Sequence, residues 1–137
     1  MKIIKPEWIA ENVPLITCDI HPDGSRFAVG GNSNTTGGGK IQIWNMDPVL
    51  DPIKEKDDKV PKLLCAMFNH MACVNCVRWT ISGKYLASGA DDRLVMVWTY
   101  GGKTIKDGLE SENWKCIHRL QGSPAIYKQT IYNIVRT

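Results

Sequence analysis

The chain has 137 residues, 43% hydrophobic and 23% charged, with a formal net charge of +3 from 17 basic and 14 acidic residues. That is the length of one ordinary domain and a composition that excludes a disordered chain. Lys115, Arg119, Lys128 and Arg136 all follow the last acid, which leaves residues 1–114 at a net of −1, so the body of the chain is not a basic nucleic-acid patch.

The first segment, 1–14, reads "MKIIKPEWIAENVP"; Lys5, Pro6, Glu7 and Glu11 interrupt its apolar residues, so no signal-peptide core is expected there. No apolar run anywhere approaches the roughly 18 residues of a membrane span. The five cysteines, at 18, 65, 73, 76 and 116, are an odd and scattered set, which predicts reduced thiols and an intracellular compartment.

From residue 15 the chain repeats itself approximately. "LITCDIHPDGSRFAVGG" (15–31) aligns without a gap on "VNCVRWTISGKYLASGA" (74–90) at an offset of 59, with Gly24 on Gly83, Ala28 on Ala87 and Gly30 on Gly89. Each unit predicts three short β-strands, rich in Val, Ile and aromatic residues. The first strand is "LITCDI" or "CVNCVRW". A glycine turn follows, "HPDG" or "TISG", then "RFAVGG" or "YLASG". A hairpin loop leads to a strand ending in tryptophan, "KIQIWNM" with Trp44 or "RLVMVWTY" with Trp98. The run "LVMVW" is apolar at every position, which predicts a strand covered on both faces, as in radially stacked sheets.

"KLLCAMF" (62–68) is a candidate fourth strand, and "NWKCIHRL" (113–120) occupies the same place after the second unit. The units are separated by "DPIKEKDDKVP" and "GGKTIKDGLESE"; the first mixes four acids with three bases over 51–61 and reads as a solvated loop.

A four-strand unit ending in Trp, with a His before its first strand and an Asp in its last hairpin, resembles the WD-repeat family of β-propellers. In the second unit His70, Ser88, Asp92 and Trp98 carry that pattern. The resemblance implies that these four side chains form a hydrogen-bonded relay that locks a blade. The physical sense is that a buried indole N–H needs an acceptor, and a serine hydroxyl can take that bond and pass one on. The family's Trp-Asp is here Trp98-Thr99 and, in the first unit, Trp44-Asn45; that unit also lacks a clear His and Asp, so packing is expected to hold it.

The segments "IKPEWI", "DIHPDG", "IWNMDPVL", "VPKLLC", "HMACVNCVRW", "YLASGADD" and "NWKCIHRLQG" together resemble the N-terminal propeller of the HIRA histone-regulator family, as far as Gly122. The family would continue with Gly-His and another blade; this chain reads "SPAIYKQTIYNIVRT". A propeller needs at least four blades of about 40–45 residues. The expectation is therefore an all-β, truncated propeller portion of about two blades plus one extra strand. Its predicted parts are an N-terminal strand in 1–14 that would close a full propeller, a first unit over 15–68, a second over 69–122 and a divergent tail over 123–137. With neighbouring blades missing, the N-terminal segment is expected to have no place to pair and two sheet faces to lose their cover.

The resemblance implies a non-enzymatic scaffold in a nuclear histone-chaperone complex, acting in replication-independent nucleosome assembly and transcription regulation. Implied partners are ubinuclein-type and calcineurin-binding-type subunits, with histones indirect; no cofactor, metal or membrane is implied, and direct nucleic-acid binding is not expected. The region that contacts the anti-silencing histone chaperone in the family lies outside a propeller N-terminus. An adaptor in another assembly, such as a ubiquitin ligase, is the alternative. Loops 32–39, 69–73 and 90–93 are candidate partner contacts.

Three motifs suggest chemistry. Cys73 and Cys76 have C-x-x-C spacing, but in an extended strand residues three apart face opposite ways, and there is no second such pair, so packing is expected rather than zinc or redox work. "NTTGGGK" lacks the G-K-[ST] ending of a phosphate loop and leads into a strand, which predicts a flexible hairpin. His70, Asp92 and Ser88 could imitate a catalytic triad, yet no oxyanion site accompanies them. His21 is expected at a turn surface, and neither it nor His118 has an obvious partner.

Overall fold

The computed structural model describes residues 6–9, 14–33, 37–122 and 124–137. Two four-stranded antiparallel sheets stand one on the other. The first runs β1 (Leu15–Ile20), β2 (Arg26–Asn32), β3 (Gly39–Asn45), β4 (Leu63–Met67); the second runs β5 (Val74–Trp79), β6 (Tyr85–Ala90), β7 (Leu94–Lys106), β8 (Leu109–Gln121), each in sequence order. The strand expected beyond the two blades, in 113–120, is thus the fourth strand of the second sheet.

The repeat extends to the irregularities of pairing. In the first sheet a bulge separates Leu15↔Gly31 from Thr17↔Gly30; in the second one separates Val74↔Ala90 from Cys76↔Gly89. Offset 59 superimposes these positions. Phe27 pairs with Trp44 as Leu86 pairs with Trp98, and a second bulge precedes each tryptophan on its outer side. Bulges increase twist, so the repetition gives the two sheets the same local shape and lets them stack.

The shared core lies between the sheets. Ala28, Ile41, Ile43, Leu64 and Met67 of the first meet Val74, Val77, Trp79, Leu86, Met96, Trp98 and Trp114 of the second. Strands β1 and β2 pack against β5, and β4 approaches β8. Burying a large apolar side chain contributes about 1.5–3 kcal/mol, so this seam is the main source of cohesion between the blades.

Several expectations need correcting. The stretch 51–61 is not wholly loop: α1 (Asp47–Leu50) leads into α2 (Pro52–Lys56), whose first turn is capped when Ile53 N donates to the Asp51 side chain. The stretch 101–112 lies within the β7–β8 hairpin, whose tip is Asp107-Gly108 with φ of 54° and 78°. Two positive φ values are what a two-residue turn needs to match strand twist. Of the segment 1–14, the described part contains a 3-10 turn, Glu7–Ile9, rather than a strand, and residues 1–5 and 10–13 lie outside the described residues.

The two outer faces are not bare. Trp8 and Ile9 pack with Met46 and Val49 against Phe27, Val29 and Trp44, with the Trp8 and Trp44 ring centroids 5.3 Å apart. The tail after Gly122 forms α3 (Pro124–Val135), which packs across β5, β6 and β7.

Candidate functional site

The site is built from the loop before β5, the middle of β6, the β6–β7 turn and the end of the apolar run of β7. These supply His70, Ser88, Asp92 and Trp98 in turn. Trp98 Nε1–H donates to Ser88 Oγ at 2.9 Å, and Ser88 Oγ lies 2.8 Å from His70 Nε2. His70 Nδ1 lies 2.9 Å from Asp92 Oδ2. Asp92 also accepts the Met71 amide at 2.9 Å and the Leu94 amide at 3.0 Å. One proton arrangement satisfies every link. Ser88 donates to His70 Nε2, and His70 Nδ1–H donates to Asp92.

Electrostatics favours that arrangement. Burial pushes the His70 imidazole below its ordinary 6.5, and the bond and charge of Asp92 only partly oppose this, while Arg119 reinforces it. Burial raises the Asp92 carboxyl, but the bonds from His70, Leu94 and Met71 outweigh it and hold the group below 3.8. A neutral histidine beside a carboxylate follows. His70 and Ser88 are 2% and 0% exposed, so a lost partner here could not be replaced by solvent.

The first sheet places Val29 where the second has Ser88, because Phe27 and Leu86 pair with the two tryptophans in the same register. Among the described residues, the buried indole N–H of Trp44 has no partner. Gln42, two residues before it on the same strand face, has an equally orphaned side-chain oxygen. Packing against Trp8 and Phe27 is what surrounds Trp44.

Polar bonds also join the blades. Trp79 donates its amide to Asp19 Oδ2 at 2.8 Å and its indole N–H to the Asp19 carbonyl at 3.2 Å. Arg26 meets Glu112 at 2.7 Å, and Glu112 accepts the Trp114 indole at 3.2 Å. His21, expected at the surface without a partner, is instead buried: its Nε2–H donates to the Gly83 carbonyl at 2.9 Å, Nδ1 lies 2.8 Å from Asp23, and the ring sits edge-on to Trp79. The partner carbonyl is 62 residues away, so no local signal could have found it. His118 is exposed on β8 and lines an open groove of about 620 Å³ between β4 and β8 with Met67, Lys115 and Arg119.

Cys73 precedes β5 and Cys76 lies inside it. Burial raises both thiols above 9.0, as it does those of Cys18 and Cys65, which disfavours the thiolate that metal binding or exchange chemistry needs. Among the described residues no three His, Cys, Asp or Glu side chains are grouped to hold a metal ion, and no helix is long and apolar enough to cross a membrane.

The described parts of loops 32–39, 69–73 and 90–93 meet at one end of the stack. The Gly39 amide donates to the His70 carbonyl at 2.9 Å and the Asp91 amide to the Cys73 carbonyl at 3.0 Å. Residues 34–36 lie outside the described set, so the hairpin expected for "NTTGGGK" is described only from Gly37 onward.

Comparison with known proteins agrees with this geometry. Residues 61–99 match the WD domain, G-beta repeat. The chain is 50% identical over 130 residues to Protein HIRA of Mus musculus and of Homo sapiens, covering 88% of this chain and 13% of those proteins. It is 38% identical over 137 residues to Protein HIR1 of Cryptococcus neoformans, covering 91% of this chain and 15% of that one. The chain therefore spans only about an eighth of the length of these relatives. Among solved structures, Sqt1 from Chaetomium thermophilum matches with a TM-score of 0.59 at 16% identity, over 81% of this chain and 25% of that one, which speaks to fold alone.

Proposed function

The chain belongs to the HIRA/HIR1 family, matching its N-terminal WD40 region, and from that premise we propose that it is a non-enzymatic scaffold element of a nuclear HIRA-type histone-chaperone complex. The observation that carries the reading is the 50% identity across 88% of the chain. A propeller fold by itself serves many functions, so the identity and not the architecture supports the assignment.

In this reading His70, Ser88, Asp92 and Trp98 are structural. Their bonds fix the loop before β5 and the β6–β7 turn to the body of the sheet, which holds loops 69–73 and 90–93 in one shape. Loop 32–39 joins them at the same rim through Gly39. That rim would present the contacts for ubinuclein-type or calcineurin-binding-type subunits, with nucleosome assembly independent of replication as the consequence. Co-expression of the chain with a ubinuclein-type subunit tests this: the two should co-elute in gel filtration. Separate elution at micromolar concentration would contradict the reading.

A further inference from the structure

We propose that α3 stands in for a third blade, closing in cis the face of the second sheet on which a further sheet would stack. The two sheets are equivalent in pairing. Ala28, Ile41 and Ile43 form the face that the first sheet turns toward the second, and all three are buried there. Their counterparts, by the shared pairing of Ala28↔Ile43 with Ala87↔Val97 and of Gly30↔Ile41 with Gly89↔Val95, are Ala87, Val95 and Val97. Alternation along a strand turns these away from Met96, Trp98 and the seam with the first sheet. Among the described residues no sheet covers that face, yet they are 0%, 2% and 6% exposed.

The cover is α3. It packs across β5, β6 and β7, Ile131 on it is 6% exposed, and the Ile81 amide in the β5–β6 turn donates to the Val135 carbonyl at 2.9 Å. The helix thus combines an apolar anchor with a backbone bond to a turn. A sheet and α3 cannot occupy the face together, so any further blade that stacks there requires α3 to leave. This goes beyond the scaffold reading and does not depend on it.

The test compares the 137-residue chain with Ile131→Glu and with Tyr132→Glu, the latter on the exposed side of the same helix turn. The readouts are thermal unfolding and hydrogen exchange at the Ile81 amide. In the unaltered chain that amide should be protected. Ile131→Glu should lower Tm by about 5 °C or more and speed Ile81 exchange about tenfold or more, while Tyr132→Glu should leave both near the starting values. Equal effects of the two substitutions would overturn the proposal. Should Ile131→Glu fail to fold, exchange in the unaltered chain decides: an Ile81 amide at the rate of an open turn would refute the cap.

Discussion

Ser88 accepts the Trp98 indole N–H at 2.9 Å, while at the matching place in the first sheet Val29 leaves the Trp44 indole without an acceptor among the described residues. The two blades therefore share a register but not a means of locking. The second depends on a polar relay and the first on aromatic packing, and this difference sorts the expected effects of substitution.

Ser88→Val would copy the first blade into the second. It removes an acceptor from Trp98 and a donor from His70 in a site closed to water, so a loss of about 2–4 kcal/mol is expected, above that of an ordinary single hydrogen bond. Urea unfolding measures it. Val29→Ala, which only shortens an apolar side chain, should cost less.

The relay should make stability depend on pH. The folded-state value of His70 is depressed below 6.5, so its contribution is complete above that pH. As pH falls through 6.5 the unfolded chain binds a proton that the folded chain refuses, and stability declines. Asp92, also depressed, adds a further loss as pH falls below 3.8. The urea midpoint should therefore drop between pH 7 and pH 5, and His70→Gln should flatten that drop.

Gly83 and Gly24 occupy matching turns with φ of 74° and 76°, but only Gly83 faces an obstacle: an added Cβ would come 2.5 Å from the His21 ring, whereas none lies within 4 Å at Gly24. Both alanine substitutions carry the strain of positive φ, about 1 kcal/mol. Gly83→Ala must also displace His21 from the carbonyl it bonds, so its Tm should fall clearly further than that of Gly24→Ala.

Arg26 and Glu112 bridge the sheets, with Glu112 the more deeply buried of the two. Breaking such a pair from one side leaves a buried charge, so Arg26→Met should cost about 3 kcal/mol. In a Glu112→Gln background the same change should cost much less. A double-mutant cycle by urea unfolding gives the difference.

Replacing Cys73 and Cys76 together by Ser should cost about 1 kcal/mol or less, because each is only partly buried and neither holds a relay residue. Mass spectrometry under native conditions should find no stoichiometric zinc on the unaltered chain.

How much of this could be read from the residues follows from the range of the forces involved. The strands around Trp44 and Trp98 were legible, because alternation, turn glycines and the repeat at offset 59 are local patterns. The membership of His70, Ser88, Asp92 and Trp98 in one constellation was suggested by family resemblance, while the distances among them came from the fold. The β7–β8 hairpin is not legible in the sequence, although Asp107-Gly108 is a strong turn signal, since the charged, glycine-containing stretch around it does not look like strand. The burial of His21 has no signature in the sequence because its partner carbonyl belongs to the other blade. The role of α3 was invisible, since the helix closes a face whose exposure depends on how two sheets stack, and no pattern within 123–137 specifies that.

We propose that these stacked sheets act as a scaffold of a HIRA-type complex. The most direct measurement is affinity capture of the tagged 137-residue chain from nuclear extract, with quantitative mass spectrometry of named subunits and Ser88→Val as the control. Ubinuclein-type or calcineurin-binding-type subunits should be enriched, and the enrichment should be lost in the control. Recovery of ubiquitin-ligase subunits in their place, or of neither class, would contradict it.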